Sequence, residues 1–212
     1  METSTRVWDP AGAAASPVPW ADVEATLRAC NRWESPHLLP RRVVEWTRRA
    51  AVAALLWGGP EGARKVVLVR RGADAPQHGG ELAFPGGMVE PFDRDLPATA
   101  RRELAEELGV AAGLWELGCF PDGVAKGLTR FTPVFLRWEA PEPRFLLGTE
   151  IQDALMLPLE GLLAAPWTTQ TLELRGVRRE VPRLELPLAP LWGATALVLK
   201  TWLDLLSSVR NS

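Results

Sequence analysis

Nine consecutive residues, Arg102-Glu103-Leu104-Ala105-Glu106-Glu107-Leu108-Gly109-Val110, restrict this chain more than any other segment. Residues three and four apart are neighbours on a helix surface, so Glu103 sees both Glu106 and Glu107. Ala100, Leu104 and Leu108 form an apolar stripe on the other side, which must lie against a sheet. The spacing predicts a helix starting near Asp95, with Asp95 as N-cap, Pro97 tolerated in the first turn and Gly109 at the left-handed C′ position. Three carboxylates on one face repel each other by a few tenths of a kcal/mol per pair. Arg102, four residues before Glu106, offsets part of this, and a hard divalent cation would offset the rest. A solvated acidic face is the plainer alternative. Against it stands Pro85-Gly86-Gly87, which breaks the chain after Leu82-Ala83-Phe84 and puts a backbone carbonyl where it could complete a metal's oxygen shell.

The remainder reads as one domain around that helix. Its 212 residues suit a single hydrophobic core. Residues 1–19, with Pro10, Pro17 and Pro19, read as a loosely ordered leader, and residues 20–212 as the domain. Trp20 to Trp33 has helical spacing of apolar positions. Ala50–Trp57 and Val66–Val69 read as strands joined by a glycine-rich loop. Further strands are expected at Leu117–Phe120, Pro133–Trp138 and in the pair Thr171–Leu174 and Val177–Val181 around Arg175-Gly176, with a last helix from about Ala194 to Leu206. This order implies an α/β sandwich with a mixed sheet.

Charge and composition exclude several function classes. A net charge of −2 argues against a generally basic nucleic-acid binder. Cys30 and Cys119 lie far apart with no CxxC spacing, so neither a disulfide framework nor a cysteine zinc site is expected. The longest apolar runs fall far short of the roughly 20 residues a membrane span needs, and the start lacks a secretory signal pattern. A cytoplasmic protein, monomeric or homodimeric, acting on a small molecule is the expectation.

Gly87 followed by Arg102-Glu103-Leu-Ala-Glu106-Glu107-Leu-Gly109-Val resembles the Nudix box, the signature of Nudix hydrolases. The region spans residues 86–110, and Gly87 to Arg102 is one residue longer than the family's usual spacing, so Asp93 best matches the first family glutamate. The resemblance implies an α/β/α sandwich and divalent-cation-dependent hydrolysis of a nucleoside diphosphate linked to another group. By position, Glu103, Glu106 and Glu107 would bind Mg²⁺ or Mn²⁺ with a carbonyl of Gly86 or Gly87, and Arg102 would orient the carboxylates. Such chemistry needs mainly positioning and charge neutralisation from the protein.

The residues upstream, Val69-Arg70-Arg71-Gly72 through His78, Gly80 and Phe84-Pro85-Gly86-Gly87, are similar to the motif of coenzyme A pyrophosphatases within that family. Downstream, Thr132-Pro133-Val134, Glu150-Ile151, Leu157-Pro158-Leu159 and Leu191-Trp192-Gly193 look like its later landmarks. The resemblance implies substrate contacts from Arg70, Arg71, His78, Phe84 and Gly87, and cleavage of CoA or acyl-CoA to 3′,5′-ADP and 4′-phosphopantetheine. Ala75-Pro76 stands where that motif has Leu-Arg, and Pro cannot replace a bidentate phosphate donor. Another client, such as ADP-ribose or a dinucleotide, is therefore the alternative. Glu150, in a loop expected after Gly148-Thr149 outside the box, is the candidate general base or extra metal ligand. His37, between Pro36 and Leu38, reads as an ordinary loop residue. A Nudix module that binds a nucleotide without cleaving it is the alternative of another class, disfavoured because all three box glutamates are present.

Overall fold

Apolar residues on both faces of the strands dictate a sheet covered on both sides. The structure, a computed structural model, describes residues 6–8, 16–30, 48–58, 64–73, 79–125, 129–141, 143–174 and 177–211. In chain order its elements are β1 (Arg6–Val7), α1 (Trp20–Cys30), β2 (Arg49–Gly58), β3 (Arg64–Arg71), β4 (Leu82–Ala83), β5 (Gly86–Met88), α2 (Leu96–Leu108), β6 (Leu114–Cys119), β7 (Gly123–Ala125), β8 (Thr129–Trp138), β9 (Ile151–Pro158), α3 (Leu159–Ala164), β10 (Thr168–Leu174), β11 (Val177–Arg183) and α4 (Gly193–Arg210). The main sheet runs β1-β9-β3-β2-β8-β6, with β4 on β3, β5 on β2 and β7 on β8. Its β1–β9 and β2–β8 pairs are parallel and the others antiparallel, which makes the sheet mixed.

The two faces carry separate cores. Ala51, Ala53, Leu55, Val67, Val69, Val134 and Leu136 pack beneath Ala100, Leu104 and Leu108 of α2. Ala54, Leu56, Val66, Leu68 and Phe135 pack on the other face against α1 and α4, where Trp202 is wholly buried. The Trp202 indole N–H donates to Thr26 Oγ1 at 3.0 Å, so the buried donor is satisfied. This is an α/β/α sandwich around a mixed sheet.

The sequence expectations hold best at α2. Asp95 accepts from Ala98 N at 2.7 Å, and Gly109 takes φ 69° at the C-terminus. The strands run longer than read from sequence, most of all β8, which begins at Thr129 and passes through Pro133. At residues 132–133 its outer neighbour changes from β7 to β6, so the missing proline N–H forfeits little there. The last helix starts at Gly193 and ends at Arg210, beyond the expected bounds.

Two stretches of the expected leader, residues 6–8 and 16–19, are among the described residues. Arg6–Val7 pairs with Leu155 and Met156 of β9, and Val18 is buried with its N–H donating to Glu160 at 2.8 Å. Strand β9 was not expected at all, because Gln152, Asp153 and Pro158 interrupt its apolar run. The loop after Gly58, residues 31–33 of the expected first helix, His37, Ala75-Pro76, His78 and the Arg175-Gly176 turn lie outside the described residues. Cys30 and Cys119 are both free. Among the described residues no helix is long and apolar enough to cross a membrane.

Candidate active site

The break at Pro85 splits the partners of β2. Its C-terminal half pairs with β3 and its N-terminal half with β5, and the C-terminal part of α2 crosses the fork. In the ladder, Ala53 N donates to Pro85 O at 2.7 Å and Val89 N to Arg49 O at 2.9 Å. Alternate residues bond across an antiparallel pair, so Gly87 faces Ala51 while Gly86 turns its N–H and C=O away from β2. The Gly86 N–H donates to Glu107 Oε2 at 3.1 Å. Gly86 is thus the residue of the glycine pair whose carbonyl is not taken by the ladder.

Close approach of backbone requires glycine at 86, and at 87 a side chain would displace the Glu103 carboxylate. A Cβ on Gly87 would lie 2.2 Å from Glu103 Oε1, and one on Gly86 would lie 2.5 Å from Ala51 O. The Glu103 carboxylate lies directly on this bare backbone. Glu107 is buried, and burial pushes its carboxyl up to about 7, with repulsion from Glu103 adding to the effect against the opposing pull of Arg71. Burial likewise raises Glu103, against the Arg102 guanidinium beside it. Glu106, by contrast, is more than half exposed.

Two arginines balance these acids. Arg102 donates to Glu103 at 2.8 Å, to Glu106 at 3.0 Å, to both oxygens of Asp93 at 3.2 and 3.1 Å, and to the Met88 carbonyl at 2.9 Å. Asp93 also accepts from Thr99 Oγ1 and from Glu90 N, both at 2.9 Å. These donors, the Arg102 guanidinium first, hold the Asp93 carboxyl down at about 2. Asp93 therefore secures Arg102. On the other side, Arg71 donates to Glu107 at 3.4 Å and to Glu150 at 2.6 Å.

Glu150 sits in the loop before β9, which closes the C-terminus of α2. Leu146 N donates to Leu108 O and Gly148 N to Glu107 O, both at 2.9 Å, satisfying carbonyls the helix leaves open. A Cβ on Gly148 would lie 2.4 Å from Glu106 O, so a side chain there would push the loop off the helix. The result is a cleft of about 380 Å³ whose walls include Arg71, Arg102, Glu103, Glu107, Glu150 and the Gly86-Gly87 backbone.

The structure brings Glu103, Glu106, Glu107, Arg102, Arg71, Glu150, Gly86 and Gly87 to this cleft. It takes two other expected residues elsewhere. Arg70 shares the face of Val66 and Leu68, opposite Arg71, and pairs with Asp153 at 2.5 Å. Phe84 is buried in the core on that same face, so its ring supports the loop and does not reach the cleft. Sequence reasoning missed Glu90 and Thr149, which also line the cleft, because neither belongs to a periodic pattern.

Among the described residues no three acidic, histidine or cysteine groups stand close enough together to make a metal cluster as placed. Glu103 and Glu106 are drawn to Arg102, and Glu107 to the Gly86 N–H and Arg71. The donor set nonetheless fits a hard divalent cation. It offers carboxylate oxygens from Glu107, which is buried, and Glu103, which is partly so, both with their charge opposed by burial, beside the bare backbone of Gly86-Gly87.

Comparison with known proteins agrees with the fold and box. The NUDIX domain family model matches residues 47–175, and the chain belongs to that family. A probable nudix hydrolase of Schizosaccharomyces pombe is 30% identical over 177 residues, covering 74% of this chain and 56% of that protein. Nudix hydrolase 22, chloroplastic, of Arabidopsis thaliana is 32% identical over 122 residues, covering 55% of this chain and 39% of that protein. The chain thus spans between about two fifths and just over half of these two relatives. The uncharacterized Nudix hydrolase NudL of Yersinia pestis is 28% identical, covering 72% of this chain and 77% of its own. The crystal structure of the MutT protein from Methanosarcina mazei superposes with a TM-score of 0.52 at 15% identity, covering 80% of this chain and all of that one, a likeness of fold.

Proposed function

We propose that the protein is a divalent-cation-dependent Nudix pyrophosphohydrolase whose client is CoA or an acyl-CoA, cut to 3′,5′-ADP and the 4′-phosphopantetheine half. The observation that carries the reaction class is the pair of part-buried Glu103 and buried Glu107 laid on Gly86-Gly87 and flanked by Arg102 and Arg71. The upstream residues Arg71, Gly80 and Phe84-Pro85-Gly86-Gly87 support the CoA reading.

Glu103, Glu107 and, after a rotation from Arg102, Glu106 would hold Mg²⁺ or Mn²⁺ together with the Gly86 carbonyl. When bound, such a cation polarises phosphoryl oxygens and lowers the pKa of a bound water. Asp93 and the Met88 carbonyl fix Arg102, which in turn sets the direction of the Glu103 carboxylate. Arg71 offers positive charge to a phosphate at the opposite wall. Glu150, exposed at the mouth, would take a proton from the attacking water once substrate draws Arg71 away.

A second reading, a different nucleoside diphosphate derivative such as ADP-ribose, is favoured by one observation. Arg70 is committed to Asp153 away from the cleft and cannot stand in for the arginine that Pro76 replaces. Mass-resolved product analysis with CoA, acetyl-CoA, ADP-ribose and NADH, beside a Glu107→Gln control, decides between them. Appearance of 3′,5′-ADP and 4′-phosphopantetheine only with intact Glu107 supports the CoA reading. Cleavage of ADP-ribose alone replaces it, and cleavage of nothing by a metal-binding protein leaves a nucleotide-binding module.

A further inference from the structure

The N-terminal ends of β2 and β8 bring two arginines side by side on one face of the sheet. Side chains alternate along β2: Ala51, Ala53 and Leu55 lie beneath α2, while Ala50, Ala54 and Leu56 enter the opposite core. Arg49 therefore projects on the α2 face, the face of the cleft, and it is exposed. Along β8, Val134 and Leu136 lie beneath α2 and Phe131 and Phe135 opposite, which puts Arg130 on the same face as Arg49. The two arginines are direct register partners on these parallel strands. Their Cα atoms are therefore about 5 Å apart, a placement in which like charges destabilise a sheet.

Apart from Glu90, the acids at this end are already engaged. Asp122 accepts from Arg130 and from the Thr132 hydroxyl. Asp93 is held by Arg102, and Asp95 caps α2 and pairs with Arg94. Arg49 has no ion pair among the described residues. It is also tied to the cleft, because its carbonyl accepts from Val89 N and the next residue, Glu90, is part of the cleft wall. Two residues along β2, Ala51 faces Gly87, on which Glu103 lies. Two residues of strand span about 7 Å, comparable with the reach across one ribose.

We propose that Arg49, with Arg130 beside it, forms a subsite for a phosphate monoester carried by the substrate one ribose away from the pyrophosphate under attack. A guanidinium presents a fork of N–H donors that matches such a group, and a dianion there relieves the repulsion between the two arginines. The inference rests on the pyrophosphohydrolase reading and narrows its client to a nucleoside diphosphate derivative with an additional ribose phosphate. It also supplies a phosphate donor in place of the one lost at Pro76.

Calorimetric binding of 3′,5′-ADP and of AMP to the full chain, to Arg49→Ala and to Arg49→Lys tests it without requiring turnover. The wild type should prefer 3′,5′-ADP by about tenfold or more, Arg49→Ala should shrink that preference to about twofold, and Arg49→Lys should fall between. The ratio of kcat/KM for CoA over dephospho-CoA should follow the same order. No preference in the wild type, or an undiminished one in Arg49→Ala, overturns the subsite. If the binding preference behaves as stated while neither CoA nor dephospho-CoA is cut, the subsite stands and the hydrolase reading falls. If both are cut equally well with no binding preference, the subsite falls and the hydrolase reading stands.

Discussion

Replacing Glu107 by Gln should make the metal-free protein more stable and, in the proposed role, the enzyme inactive. In the fold, burial raises the Glu107 carboxyl from 4.5 to about 7. Because the folded value lies above the unfolded one, the group costs nothing below pH 4.5. The penalty grows as pH rises and is complete above about pH 7. A shift of that size corresponds to on the order of 3 kcal/mol at pH 8. Gln removes the penalty and keeps an acceptor for the Gly86 N–H, but its amide N–H₂ then faces the Arg71 guanidinium at 3.4 Å, donor against donor, at a cost of about 1 kcal/mol. Metal-free Glu107→Gln should therefore be about 1–2 kcal/mol more stable at pH 8, a rise in Tm of roughly 2–8 °C for a chain of this size. The advantage should shrink toward zero by pH 5. In saturating Mg²⁺ or Mn²⁺ the order should reverse, since the wild type gains cation binding that the variant forfeits. Thermal and urea unfolding in EDTA and in metal, at both pH values, read all four cases. A variant that is less stable than wild type at pH 8 in EDTA would refute the claim that Glu107 is a charge held against burial.

Other perturbations have equally definite outcomes. Asp93→Asn should cost about 2 kcal/mol at pH 7 in denaturant titrations, because it removes charge-assisted hydrogen bonds to Arg102. Since Asp93 is held at about 2, below its unfolded value, that difference should persist above pH 4 and vanish as pH falls toward 2. Gly87→Ala should displace Glu103 and weaken Mn²⁺ binding by about 10–100-fold, measured by calorimetry, with a smaller effect on unfolding. Gly148→Ala should cost about 1–3 kcal/mol in urea unfolding, through its clash with Glu106 O at the closed end of α2. Thr26→Val should cost about 1–2 kcal/mol in the same assay by leaving the buried Trp202 N–H without its partner.

Local chemistry explains which parts could be read in advance. Asp95, Pro97 and Gly109 act within one helix, so the bounds of α2 follow from the residues themselves. The three glutamates and Arg102 were legible for the same reason, as i, i+3 and i, i+4 neighbours. Arg70 and Arg71 look equivalent in sequence, yet strand alternation sends one to Asp153 and the other to the cleft. Deciding between them required the face of β3 that α2 covers, a fact of tertiary packing. Strand β9 was lost because an Asp is tolerated inside it only through its pairing with Arg70 on β3. The position of Glu150 was legible as a loop, but its hydrogen bond to Arg71, 79 residues away, was not.

The proposed role of the acidic face of α2 over Gly86-Gly87 is to hold a divalent cation that the reaction needs. Titration of Mn²⁺ into the wild type and into Glu103→Gln and Glu107→Gln, followed by electron paramagnetic resonance and repeated with turnover of CoA and ADP-ribose, tests it most directly. The wild type should bind Mn²⁺ and cut a pyrophosphate, with both losses appearing together in either variant. Mn²⁺ binding of wild-type strength in both variants, or pyrophosphate hydrolysis at an undiminished rate in EDTA, would contradict it.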